Sequence, residues 1–193
     1  PPTFTAAFSA KTINEDAGAQ TFNYASAISS GPNESDALVF DVSSNNPSLF
    51  AEAPAVSMDG KLTFKTVKDA NGIATLSIQL RETSTSPALS SSIKTVTITV
   101  NAVNDPPTFT LATATIDLLE DEVFSSINVA TSLSPGGGPD EASQTLTFIV
   151  SHTCNSGLFS TAPTMTINGA TGRLGFALAA DQNTDTVLYF ADA

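Results

Sequence analysis

From Lys94 to Val100 the chain alternates Thr95, Thr97 and Thr99 with Val96, Ile98 and Val100. That period of two turns an apolar face to a core and a polar face to water, as a half-buried strand requires. Runs of the same kind, bounded by turn residues, predict strands over 3–8, 20–25, 37–43, 53–57, 61–66, 73–80 and 93–101. Asp59-Gly60 and Asn168-Gly169 are hairpin dipeptides that accept positive φ, and each separates two such runs. No stretch keeps helical spacing for three turns, so the chain is expected to be all-β.

The pattern then repeats. Pro1-Pro2-Thr3-Phe4-Thr5 recurs as Pro106-Pro107-Thr108-Phe109-Thr110, and Glu15-Asp16 as Glu120-Asp121. Further on, Leu49-Phe50 answers to Leu158-Phe159, Pro54 to Pro163, and Leu62-Thr63-Phe64 to Leu174-Gly175-Phe176. Two homologous units, 1–105 and 106–193, follow from this self-similarity. Seven strands in about 100 residues is the count of an immunoglobulin-like β-sandwich. The expected fold is therefore all-β, two tandem sandwiches in an elongated arrangement. The second unit reaches only a strand at 186–191 and has nothing to match 93–101. Its last strand is either trimmed away or supplied by another molecule, since an open strand edge invites pairing. Pro1-Pro2 reads as a cut inside something longer.

Composition narrows the function. The 193 residues hold 7 Lys plus Arg against 19 Asp plus Glu, a net charge of -12, which leaves no basic surface for phosphates or anionic membranes. No apolar run is long enough for a membrane span. Cys154 is the single cysteine, so no internal disulfide forms. The acidity is uneven: unit one carries 6 basic and 10 acidic residues, unit two 1 and 9, giving -4 and -8.

An up-and-down reading of the strands places alternate loops at opposite ends of each sandwich. One end of unit one then collects Asn14, Glu15 and Asp16, Asp69 and Asn71, and the exit linker with Asn101, Asn104 and Asp105. Asp140 and Glu141 fall at the near end of unit two. Hard oxygen donors at that density suit Ca2+, which takes six to eight oxygens in flexible geometry. The expected ligands are Glu15, Asp69, Asn104, Asp105, Asp140 and Glu141, with Glu120, Asp121, Asp181 and Asp185 forming a second, equivalent set.

The linker Asn101-Ala102-Val103-Asn104-Asp105-Pro106-Pro107 resembles the Asp-x-Asn-Asp-Asn-x-Pro linker of cadherins, and Glu15 stands where that family carries its first-loop glutamate. Asp69 lies in the loop where cadherins have Leu-Asp-Arg-Glu. The whole chain is thus similar to a pair of cadherin-like tandem repeats of large microbial or protist surface proteins. The resemblance implies an extracellular array stiffened by calcium at each junction. Asn101 replaces the family's first Asp, and Pro106 its last Asn, which lowers ligand charge and affinity.

Other chemistries find little support. His152 and Cys154 are two ligands where zinc needs three or four, and the lone histidine has no echo in unit one. Gly136–Gly138 has no helix after it to cradle a phosphate. No enzyme is expected. Asn33-Glu34-Ser35 is a glycosylation sequon with Asn33 as acceptor. The expected function is a structural spacer or building block of a surface or filament protein, with neighbouring repeats as partners. The alternative is a module that binds a protein or glycan through its loop ends or an exposed strand edge. Glycan binding is disfavoured by the absence of Trp and the presence of only Tyr24 and Tyr189.

Overall fold

A computed structural model describes the chain except residues 84–86, 114, 119–125, 154–156, 182–187 and 193, and describes the backbone alone at 188–192. It is all-β apart from a 3-10 turn at Pro47–Leu49, and its contacts divide it into Pro1–Val103 and Asn104–Ala193.

Among its described residues unit one holds nine strands: β1 Thr3–Ala6, β2 Ala10–Asn14, β3 Ala19–Asn23, β4 Ala25–Ser29, β5 Leu38–Ser44, β6 Phe50–Val56, β7 Lys61–Thr66, β8 Gly72–Glu82 and β9 Lys94–Asn101. They form a four-stranded sheet in the order β2-β9-β8-β5, a three-stranded sheet β3-β7-β6 and a ribbon β1-β4. The alternation of β8 sends Ala74, Leu76, Ile78 and Leu80 inward, each fully buried, and β9 adds Val96, Ile98 and Val100. Leu62 and Phe64 of β7 meet them from the other sheet, with Phe4, Tyr24, Phe40, Leu49, Phe50 and Val56 filling the space between. Each large apolar side chain removed from water there stabilises by about 1.5–3 kcal/mol.

The predicted 20–25 strand divides in two. The amides of Tyr24 and Ala25 both donate to the Gly60 carbonyl, at 2.8 and 2.9 Å, so the chain leaves the β7 pairing at Tyr24 and continues as β4 against β1. β2 has no counterpart among the predicted strands. Its side chains are half-buried at best, and it is held by parallel pairing to β9, with Asn14 opposite Asn101, a partner 87 residues away. A parallel pair departs from the up-and-down reading, and its consequence is local: both strands run toward the same loop end.

Unit two holds β10 Thr108–Leu111, β11 Ile127–Ser134, β12 Phe148–His152, β13 Phe159–Asn168, β14 Thr171–Leu178 and β15 Leu188–Asp192. β10-β11-β14-β13 form one sheet and β12-β15 a ribbon. Val129, Leu174 and Phe176 are buried at the centre of its core, backed by Ile116, Leu118, Ile127, Phe159, Met165 and Leu178. The β10–β11 pairing repeats that of β1–β4 at a constant offset of 105 residues: Thr3–Ser29, Thr5–Ser26 and Ala6–Ala25 become Thr108–Ser134, Thr110–Thr131 and Leu111–Ala130, with the same irregularity after the first pair.

Tyr24 is 1% exposed, and its hydroxyl has no hydrogen-bond partner among the described residues. Burial pushes that hydroxyl above its usual ionisation range. The tyrosine therefore adds nothing pH-dependent below about pH 10 and destabilises the fold as pH rises from there toward its folded pKa, because only the unfolded chain ionises freely. Tyr24→Phe removes an unsatisfied buried group. Thermal melts should show the variant as stable as the parent, or more so, at neutral pH, with a shallower decline in alkali. A loss above about 1 kcal/mol would mean that the hydroxyl has a partner.

Candidate cation-binding loop ends

In unit one the parallel register brings the end of β2 beside the end of β9, where the Glu15 amide donates to the Asn101 carbonyl at 2.9 Å. Glu15 is only 4% exposed. Its Oε1 accepts the Val103 amide at 2.7 Å and its Oε2 accepts Asn71 Nδ2 at 3.3 Å, so one carboxylate ties the first loop, the β7–β8 loop and the exit strand together. Asp16 and Asp69 both adopt positive φ, and Asp16 Oδ1 accepts the Asp69 amide at 2.9 Å. Lys68 Nζ lies 2.7 and 2.9 Å from the two Asp69 oxygens. Its side chain is 79% exposed, so this ion pair contributes little.

In unit two a second buried glutamate has the corresponding task. Glu141 is 2% exposed, and its Oε1 accepts the Asp105 amide at 2.9 Å. Its Oε2 and Asp105 Oδ2 are both buried without a hydrogen-bond partner among the described residues. Gly136 shapes this pocket. With φ at +144°, it lies so close that a Cβ there would fall 1.9 Å from Glu141 Oε2 and 3.0 Å from Asp105 Cβ. Asn104 Oδ1 accepts Gln144 Nε2 at 2.9 Å, and the Gln144 amide donates to the Glu141 carbonyl at 2.9 Å. A buried carboxylate oxygen without a donor costs free energy, which a hard divalent cation would repay through direct ligation.

Of the sequence candidates, Glu15 and Asp69 thus sit in one hydrogen-bonded loop end of unit one, and Asn104, Asp105 and Glu141 in one of unit two. Asp140 is exposed beside Glu141. Asp181 is exposed with positive φ, while Glu120, Asp121, Asp185 and Cys154 lie outside the described residues. Asn33 is exposed with φ +62°.

Sequence reasoning missed a further acidic group in unit one. Carboxylate oxygens of Glu34, Asp36 and Glu82 lie within 4.8 Å of one another, with Glu82 2% exposed and its Oε2 accepting the Leu89 amide at 2.9 Å. The alternation of β8 carries the signal, because 74, 76, 78 and 80 point inward and 82 continues that phase with a charge. The Glu34 loop also repeats the Glu141 loop: the Gly31 amide bonds to Ser29 Oγ as that of Gly136 does to Ser134 Oγ, and a Cβ on Gly31 would fall 2.5 Å from Glu34 Oε2.

No family model matches the chain, and no curated protein matches it. Among solved structures it is similar to the human desmocollin-1 ectodomain, at 15% identity and TM-score 0.40, over 94% of this chain and 34% of that one. It is also similar to a SusE-like surface-located polysaccharide-binding protein from the heparin utilisation locus of Bacteroides thetaiotaomicron, at 18% identity and TM-score 0.35, over 100% and 33%. A third is an endo-fucoidan hydrolase of glycoside hydrolase family 107, at 11% identity and TM-score 0.33, over 99% and 28%. The chain spans about a third of the length of the structures it matches.

Replacing Gly136 by alanine should push Glu141 off the Asp105 amide and cost about 1–3 kcal/mol in denaturant unfolding of unit two. Gly72→Ala serves as the control, because Gly72 has a comparable φ of +135° but nothing within 4 Å of its Cβ position. Equal losses in the two variants would show that Glu141 does not fill the space against Gly136.

Proposed function

We propose that this chain is a spacer segment of an extracellular or cell-surface protein, a pair of β-sandwiches whose loop-end carboxylates take Ca2+ and thereby fix the connecting chain. The observation that carries the reading is the pair of buried, donor-less oxygens on Asp105 and Glu141 in unit two. The cadherin-like pattern of the linker supports the same class. Glu15, Asp16, Asp69 and Asn71 offer oxygens in unit one; Asn104, Asp105, Asp140 and Glu141 offer them in unit two.

Stiffening follows from what the glutamates hold. Glu15 grips the Val103 amide and Glu141 the Asp105 amide, two backbone groups separated by one residue. Ion binding neutralises the acidic loops that would otherwise repel, and locks both grips. Chain freedom at Val103–Asp105 falls with it, which raises resistance to bending. The ligand set includes neutral Asn side chains, which puts the affinity in the range of extracellular modules, about 0.1–1 mM.

Calorimetric titration of Ca2+ into the chelator-treated chain, with parallel melting curves, tests this. Saturable binding is expected, and about 2.7 kcal/mol of stabilisation at 100 times the Kd. Glu141→Gln should abolish most of the effect, because it removes the buried charge while preserving size. Identical melts in millimolar calcium and in chelator would overturn the reading.

A further inference from the structure

The sheet β2-β9-β8-β5 ends on one side at β2, which pairs with β9 alone among the described residues. The Ser9 carbonyl accepts the Thr97 amide, and the Glu15 amide donates to the Asn101 carbonyl, both at 2.9 Å. Strand alternation then gives β9 the backbone groups of Lys11 and Ile13 and turns those of Ala10, Thr12 and Asn14 to the open side. An unpaired row of that kind is a template for another strand. The core margin beside it is apolar, since Phe8, Ile13 and Phe22 are only half-buried where they pack against the core.

Lys11 stands on this margin. It lies opposite Ile98 in the parallel register, as Ile13 lies opposite Val100, and both partners face the core at 2% exposure or less. Lys11 is thus a charge on the core-facing phase of an edge strand. Its Nζ lies 4.7 Å from the centroid of the Phe22 ring and 5.8 Å from that of Phe8. No carboxylate pairs with it among the described residues, although the chain holds 19 acids. The methylene stem covers the apolar margin while the ammonium group keeps its water. Two other sheet margins carry a different device: β6 and β13 each hold a proline, Pro54 and Pro163, inside a register shift of their pairing. Proline has no amide to donate, and an irregular register spoils the template. β2 has neither feature.

We propose that Lys11 guards this edge: it keeps β2 from pairing antiparallel with β2 of a second copy, a contact that would join two four-stranded sheets through Phe8, Ile13 and Phe22. Centred on Thr12, such a pairing sets each Lys11 opposite an Ile13 and takes both ammonium groups out of water in one seam. Their desolvation opposes what the backbone bonds and the apolar side chains favour. The inference uses no carboxylate as a ligand and stands apart from the cation reading.

Sedimentation velocity of the whole 193-residue chain in chelator tests this, with Lys11→Met, Lys11→Gln and Lys11→Arg beside the parent. The two neutral variants should self-associate about tenfold or more tightly than the parent. Amide hydrogen exchange at Ala10, Thr12 and Asn14 should slow as their concentration rises. Lys11→Arg keeps the charge and should match the parent. Lys11→Gln retains a polar end and carries the reading where Lys11→Met lowers the melting temperature. Self-association of the neutral variants no tighter than that of the parent overturns the inference. So does an equal tightening in Lys11→Arg, or association that leaves the three amides unprotected.

Discussion

A carboxylate taken out of water has to be given donors or a counter-ion, and two glutamates of this chain meet that demand with the backbone between the units. Glu15 and Glu141 are each nearly fully buried, and each spends one oxygen on an amide of the Val103–Asp105 stretch. The rest of the local structure serves these two bonds. Positive φ at Asp16 and Asp69 lets their loops close around Glu15, and the missing side chain at Gly136 leaves room for Glu141. The two are not equivalent: both Glu15 oxygens are engaged, whereas one oxygen of Glu141 and one of Asp105 have no donor among the described residues.

That difference gives the acidic ends a direction. Unit one is organised by hydrogen bonds already present, anchored on a core to which β8 and β9 contribute seven inward apolar residues. Unit two, around a core centred on Val129, Leu174 and Phe176, leaves one oxygen each of Asp105 and Glu141 buried without a donor among the described residues.

Much of the fold was legible because its signals are local. Period-two runs mark β5, β7, β8 and β9, and Asp59-Gly60 and Asn168-Gly169 mark the turns of two hairpins. β2 and β4 escaped, since their alternation buries little and their existence depends on remote partners: β9 for one, and for the other β1 together with the Gly60 carbonyl. In the candidate site, Glu15 and Asp69 could be read from loop position, as could Asp105 and Glu141. Gly136 could not, because a glycine's role as a gap against a carboxylate is fixed only by packing. Glu82 left a trace, as a charge on the inward phase of β8.

The most direct test of the account is amide hydrogen exchange at Val103 and Asp105 with calcium and with chelator. If cation binding locks the two glutamate grips, both amides are protected without calcium and slow by a further factor of about ten in calcium at about ten times the Kd, equivalent to roughly 1.4 kcal/mol. Exchange at these two positions that is the same in both conditions would contradict it.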